Sequence, residues 1–409
     1  MTKMLLRISE FAQCWSHNCL FRTNVYQFLF MVSYCKWASA AYGVAMIDNA
    51  NLLQAVNTAP VIGAPASVMG VASDRARMEK ICRYCGIRPR DIITMQNPGG
   101  NHGLVNHFIA VHGARGIIRP AVVLSIRGTY TISGLITDAL AYSTEFCGGR
   151  AHHGIATAAN NLWAHVQGDI IRTLLDNPGH DLVLSGHSLG AGTAALLALK
   201  LKYEGILANE NESLKDVNIR CYAFANPPVY YKEDKDEEMK EAMSSIYSFI
   251  HESDCVPFAS VDAIRRISDL LVRVDNYPTG IFGSSTLMAA GLRPIPMELE
   301  EIIFNDADLV YANDSEKLAV PSPFVTWMRA VRTNPRNNKP EYDAMFCRPE
   351  GVNDMKGTND LNFLINENMI SDHMNPNYEL ATASIREQLL RGATDVYSFA
   401  SENPEEEYN

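Results

Sequence analysis

The sequence predicts an α/β fold, a mostly parallel central sheet with helices on both faces. Three observations carry that expectation. Short apolar runs suited to strands alternate with longer stretches of helical period. The strand runs are continuous rather than alternating, as in strands buried on both faces. The chain has 409 residues, 47% hydrophobic and 20% charged, which is enough material for one large core with insertions.

Residues 1–60 read as helical, with a small-residue helix over 34–46 that ends near Gly43. A Pro/Gly/Ala-rich connector follows at 57–70, then a helix over 74–87 stopped by Gly86 and Pro89. The runs 106–113 and 121–128 are two β-rich segments separated by a turn. Over 155–179, Ala158, Leu162, Val166, Ile170 and Leu174 recur four residues apart, one stripe of an amphipathic helix that Asn177-Pro178-Gly179 ends. A strand at 181–185 leads through a sharp turn into a helix over 190–205, and strands follow at 219–225 and 245–252. Beyond residue 270 the alternation weakens. Residues 277–317 pattern poorly, and 324–332 and 361–370 are each candidates for a late strand. The expected division is an N-terminal helical segment packing on the core (1–60), the core (61–275), an irregular insertion (276–316), the C-terminal part of the core (317–395) and an acidic tail (396–409).

Composition narrows the function. A net charge of −11 argues against nucleic acid, for which a basic stripe is expected. The acidic runs at 232–241 and in the tail read as solvated surface. Nine cysteines without regular spacing do not suggest a disulfide framework. Cys82 and Cys85 form a lone CxxC with no second ligand pair, which reads as two thiols on a helix rather than a zinc site. Arg7, Glu10 and Gln13 interrupt the N-terminus where a signal peptide needs an apolar stretch, and the 19–34 segment is polar-interrupted and too short for a span. The expectation is a cytoplasmic chain without a transmembrane segment, with peripheral membrane contact through 19–34 as the alternative.

The most informative feature is the strand–turn–helix joint, Gly186-His187-Ser188-Leu189-Gly190. Glycines two residues before and after a serine let backbone pack closely around a strained turn, which lifts the hydroxyl off the strand end. The following helix directs its N-terminal dipole toward an oxyanion developing there. A serine hydroxyl needs a base, and the base needs a carboxylate to hold its tautomer. In hydrolases built this way the chain order is serine, acid, histidine. Downstream of Ser188 only His251 and His373 are available. His251 lies in or at the end of a strand and precedes the acid candidate Asp254, which is the wrong order. His373 is expected in a loop after a strand and is the preferred base. Asp254 is the preferred acid, with Asp262 and Asp372 as rivals. The oxyanion donors are expected to be the Leu189 N–H and Thr129, which follows the strand break at Gly128. Arg127 is expected to be a structural charge beneath that loop.

Together, "GHSLGAG", "SIRGT", "HHG" at 152–154, "SDCVP" and "DHMNPNY" resemble the class 3 (fungal-type) lipases, nearest the branch that contains sn-1-specific diacylglycerol lipases. "KWASAAYG" is similar to that family's opening helix, and the likeness covers about 34–270 and 317–385. The resemblance implies an α/β-hydrolase fold and serine acyl transfer. It assigns Ser188 as nucleophile, Asp254 as acid, His373 as base, Thr129 and Leu189 as oxyanion donors, and Gly186, His187 and Gly190 to the nucleophile elbow. It implies no metal or organic cofactor. The substrate it implies is a glycerolipid met at a membrane or lipid-droplet surface, most directly diacylglycerol. The alternatives are a phospholipase A1 or galactolipid lipase of the same family, or a lipase-like module that binds lipids or partners without turnover. A lid over the acyl groove is expected in 277–310, with 130–150 as the second candidate.

Overall fold

The computed structural model describes residues 33–43, 74–96, 104–114, 118–128, 142–260, 318–323, 325–335, 338–347 and 368–390. The expected insertion at 276–316, residues 130–141 of the second lid candidate and the acidic tail lie outside them, as do Thr129 and Asp262.

Eight strands form the main sheet: β1 (Ile92–Met95), β2 (His107–His112), β3 (Ala121–Ile126), β6 (Asp181–His187), β7 (Ile219–Phe224), β9 (Ile246–His251), β10 (Val325–Thr333) and β11 (Pro340–Cys347), lying side by side in that order. β3, β6, β7, β9 and β10 run parallel, while β1, β2 and β11 are antiparallel additions at the two edges. A second, three-stranded sheet joins β4 (Ser143–Phe146), β5 (Gly149–His152) and β8 (Tyr230–Tyr231). β4 and β5 occupy the described end of the 130–150 loop.

The central strands have no solvent face, so their residues divide between two cores by parity. Val122, Leu124, Leu182 and Leu184 pack on one face with the helices α3 (His153–Asp176) and α4 (Leu189–Tyr203) and with α6 (Glu237–Ser244). Val123, Val183, Tyr222, Phe224 and Phe249 pack on the other, with α1 (Cys35–Ala40), α2 (Asp74–Cys85) and α8 (Asn375–Leu390). α4 is apolar and buried nearly all round, as a helix at the centre of a core must be. The short α5 (Ile206–Glu210) follows it.

α1 is tied to the sheet by more than apolar contact. The buried Ser125 hydroxyl donates to the Trp37 carbonyl (2.6 Å), and the buried Ser185 hydroxyl donates to the Tyr34 carbonyl (3.1 Å). Two hydroxyls that would be costly to bury alone thereby meet carbonyls at the start of the helix.

Three sequence expectations need correction. In α3 the buried position is Ala159, with Ala158 half-buried, so the stripe runs through Ile155, Ala159, Leu162, Val166, Ile170 and Leu174. A three-residue step from Ala159 to Leu162 among the four-residue ones keeps the stripe near the 3.6-residue period. Residues 361–367 of the second late-strand candidate lie outside the described residues, while Met369 and Ile370, at its end, belong to a one-turn helix, α7 (Met369–His373). His373 therefore ends a helix rather than sitting in a loop. The strand that closes this edge is β11, in a hairpin with β10.

Candidate functional site

The joint between β6 and α4 owes its shape to its glycines. A Cβ on Gly186 would run into the Gly190 carbonyl and the Ala191 nitrogen, and one on Gly190 into the Ile126 carbonyl and the Arg127–Gly128 peptide. Only hydrogen at both positions lets the turn, the helix start and the end of β3 occupy one place. Ser188 between them has φ 60° and ψ −131°, a conformation that costs a non-glycine residue about 1–3 kcal/mol and is tolerated where surrounding structure enforces it. The enforcing contacts are on both sides. The Ser188 N–H donates to the Phe224 carbonyl, and its own carbonyl accepts from Ala191 and Gly192. Gly128, at the end of β3, lies so close that a Cβ there would be 3.2 Å from the Ser188 Cβ.

Three of the expected residues come together at the carboxyl ends of the parallel strands. Ser188 Oγ is 3.0 Å from His373 Nε2, and His373 Nδ1 is 3.0 and 3.1 Å from the two Asp254 carboxylate oxygens. An ionised carboxylate only accepts, so the imidazole carries its proton on Nδ1 and leaves Nε2 to accept from the serine hydroxyl. Asp254 is wholly buried. Burial opposes its charge, yet the adjacent imidazole, the Tyr378 hydroxyl (2.6 Å) and the Val256 N–H (2.8 Å) outweigh that cost and hold the carboxyl below its ordinary range. Of the rivals, Asp372 points elsewhere. Its Oδ2 accepts from the Ser253 N–H (3.1 Å), and burial is the main cause that pushes its carboxyl up to about 6.

Leu189 is the first residue of α4, so its N–H has no carbonyl to meet within the helix and stands at the positive end of the helix dipole beside Ser188. Thr129 is two residues past the described Arg127 and outside the described set. Among the described residues no cluster of His, Cys, Asp or Glu suits a metal ion, and no helix is long and apolar enough to cross a membrane.

Several groups around the site escaped the sequence reading. Tyr378, five residues after His373, reaches the acid from the first turn of α8. Its signal was its place in "DHMNPNY", where it had no assigned task. The His187 ring, known only as a member of the elbow, lies 4.8 Å from the His373 ring. Burial and the neighbouring His373 push its pKa down to about 3, so it is neutral. His251, at the end of β9, is likewise buried, and burial lowers its pKa.

Such an arrangement can activate a hydroxyl toward an electrophilic carbonyl and hold the oxyanion that results. The chain is similar in part to several known proteins. Residues 123–263 match the family described as Lipase (class 3). Mouse diacylglycerol lipase-beta is 32% identical over 202 residues, which are 47% of this chain and 27% of that protein. Secreted mono- and diacylglycerol lipase A from Penicillium cyclopium is 32% identical over 144 residues, 34% of this chain and 42% of that one. The chain thus spans less than half the length of these curated relatives. Among solved structures, a lipase from Rhizopus microsporus var. chinensis aligns with a TM-score of 0.38 and 19% identity over 57% of this chain and 69% of that one.

Proposed function

We propose that this chain, whose residues 123–263 match the class 3 lipases, is a serine carboxylic ester hydrolase that cleaves acyl esters of glycerolipids, diacylglycerol foremost. The observation that carries the proposal is the continuous hydrogen-bond path from Ser188 Oγ through His373 to Asp254. The names of the mouse and Penicillium relatives support the choice of diacylglycerol.

In the first half-reaction His373 Nε2 takes the serine proton as Oγ bonds to the ester carbonyl carbon. Asp254 stabilises the imidazolium without taking its proton. The oxyanion is held by the Leu189 N–H and, as the second donor, Thr129. When the tetrahedral adduct collapses, the bond to the alkoxy oxygen breaks and the imidazolium protonates the departing alcohol. Water then gives its proton to His373 as its oxygen attacks the acyl-enzyme. Collapse of this second adduct returns the proton to Ser188 and releases the fatty acid. The pair of half-reactions consumes one water and needs no external acid, base or metal.

Ser188→Ala and His373→Ala should each lower kcat by about 10⁴-fold or more. A fluorophosphonate probe should label the wild type and not Ser188→Ala. Labelling that survives this substitution would overturn the assignment of the nucleophile. Initial rates on diacylglycerol, triacylglycerol and phosphatidylcholine test the substrate, and a faster rate on phosphatidylcholine would replace the diacylglycerol reading with a phospholipase one.

A further inference from the structure

His373 sits at the C-terminal end of a helix of only one turn, α7, and so at a place where backbone carbonyls lack partners within the helix. Two of these carbonyls, on consecutive residues, are met by two buried imidazoles from different strands. His187 Nε2 lies 2.9 Å from the His373 carbonyl, and His251 Nδ1 lies 3.0 Å from the Asp372 carbonyl. A carbonyl only accepts, so each of these nitrogens carries a proton.

The second nitrogen of each ring is held by a tyrosine. Tyr42 OH lies 3.0 Å from His187 Nδ1, and Tyr342 OH lies 3.2 Å from His251 Nε2. Each ring nitrogen opposite the carbonyl is then the acceptor, and each hydroxyl is the donor. The two histidines thus use opposite tautomers, the Nε2–H form at 187 and the Nδ1–H form at 251.

Their positions in the chain give the arrangement its meaning. His187 immediately precedes Ser188, and His251 ends the strand that leads to Asp254, whose N–H donates to the His251 carbonyl. Each sheet-borne member of the proposed triad therefore has a neighbouring imidazole that grips the backbone carrying the third. We propose that His187 and His251 are paired positioning residues, a two-point clamp that fixes the His373 backbone so that its ring reaches Ser188 and Asp254 together. The proposal rests on the hydrolase reading above. Its energetic rationale is that misplacing a reacting group by about 1 Å can cost about 10²-fold in rate.

Side-chain amides test the clamp atom by atom, because a glutamine nitrogen falls near the position of His Nε2 and an asparagine nitrogen near that of His Nδ1. With a soluble short-chain ester, His187→Gln and His251→Asn should keep kcat within about tenfold of wild type. His187→Asn and His251→Gln should lose about 10²-fold in kcat with little change in KM. Thermal midpoints should not separate the two pairs. Equal kcat for Gln and Asn at both positions, or kcat that simply follows the thermal midpoint, would overturn the clamp. Nitrogen-15 spectra of the imidazoles in the unsubstituted protein supply a readout independent of turnover and of variant folding. The clamp requires Nε2–H at 187 and Nδ1–H at 251, and the reverse tautomer at either position defeats it. Failure of the hydrolase reading looks different, since the Ser188→Ala protein would then retain labelling whatever the tautomers are.

Discussion

The two halves of the site are held by different means. On the serine side, Ser188 sits in one unbroken strand–turn–helix that closes against the ends of β3 and β7, and backbone does the holding. Glycines permit the crossing, and main-chain bonds to Phe224, Ala191 and Gly192 enforce an otherwise costly conformation. On the histidine side, side chains do the holding. His373 meets Asp254 across 119 residues of sequence and Ser188 across 185, and its backbone is met by two imidazoles. The serine side should therefore fail through steric collision, and the histidine side through loss of individual polar atoms.

Four substitutions probe that contrast. The largest effect is expected for Gly186→Ala, whose new methyl has only backbone to displace. A destabilisation of about 1–3 kcal/mol and a kcat loss of about 10²-fold should follow. Gly168, in the middle of α3, has nothing within 4 Å of a built Cβ, so Gly168→Ala should instead stabilise by about 1 kcal/mol. Denaturant melts of the two variants would decide, and a tolerated alanine at 186 would break the comparison.

Tyr378→Phe should come next. It removes the hydroxyl that donates to the buried Asp254 carboxylate and accepts from the His251 N–H. About 1.5–3 kcal/mol of stability should go with a hydrogen bond to a charged group. A kcat reduction of about tenfold, equivalent to roughly 1.4 kcal/mol of barrier, should accompany it. An unchanged kcat would mean that the imidazole and the Val256 N–H suffice to hold the acid.

The smallest effect concerns pH. Burial and the nearby Glu252 and Asp254 raise the Asp372 carboxyl to about 6, against the opposing Ser253 N–H. In an unfolded chain an aspartate titrates near 3.9. Between those values the folded state binds more protons than the unfolded one, so the contribution of Asp372 to stability declines as pH rises from about 4 through about 6. Asp372→Asn keeps an acceptor for Ser253 and removes the charge. Its thermal midpoint should match wild type near pH 4 and exceed it by about 2–4 °C above pH 7. Parallel curves for the two proteins across that range would refute the effect.

How much could be read from sequence follows the same division. The elbow was legible because its determinants are adjacent: an apolar run, two glycines around a serine, and an apolar helix. The placement of Asp254 and His373 needed the chain order expected of such hydrolases as well as local pattern. The partners that hold them were not legible. Nothing local shows what the rings of His187 and His251 hold, and their roles depend on which carbonyls the distant α7 brings to them. The β10–β11 hairpin left a readable trace, turn-forming residues at 334–339 between two strand-like runs, but its second run mixes charged and apolar residues and sits at a sheet edge. The main-sheet strands β3, β6, β7 and β9, buried on both faces, were the easiest to see.

The serine hydroxyls that bond the Tyr34 and Trp37 carbonyls bear on how small a working fragment can be. The same short helix supplies Ser39, which accepts from Asn375 at the start of α8, and is followed by Tyr42, which reaches His187. A piece trimmed to the family-matched residues 123–263 would lose the imidazole at 373 and expose Ser125 and Ser185 inside the sheet with their acceptors gone. A working fragment is accordingly expected to need three stretches that lie far apart along the chain: the one that holds Tyr34 to Tyr42, the matched segment, and the one that holds His373 to Tyr378.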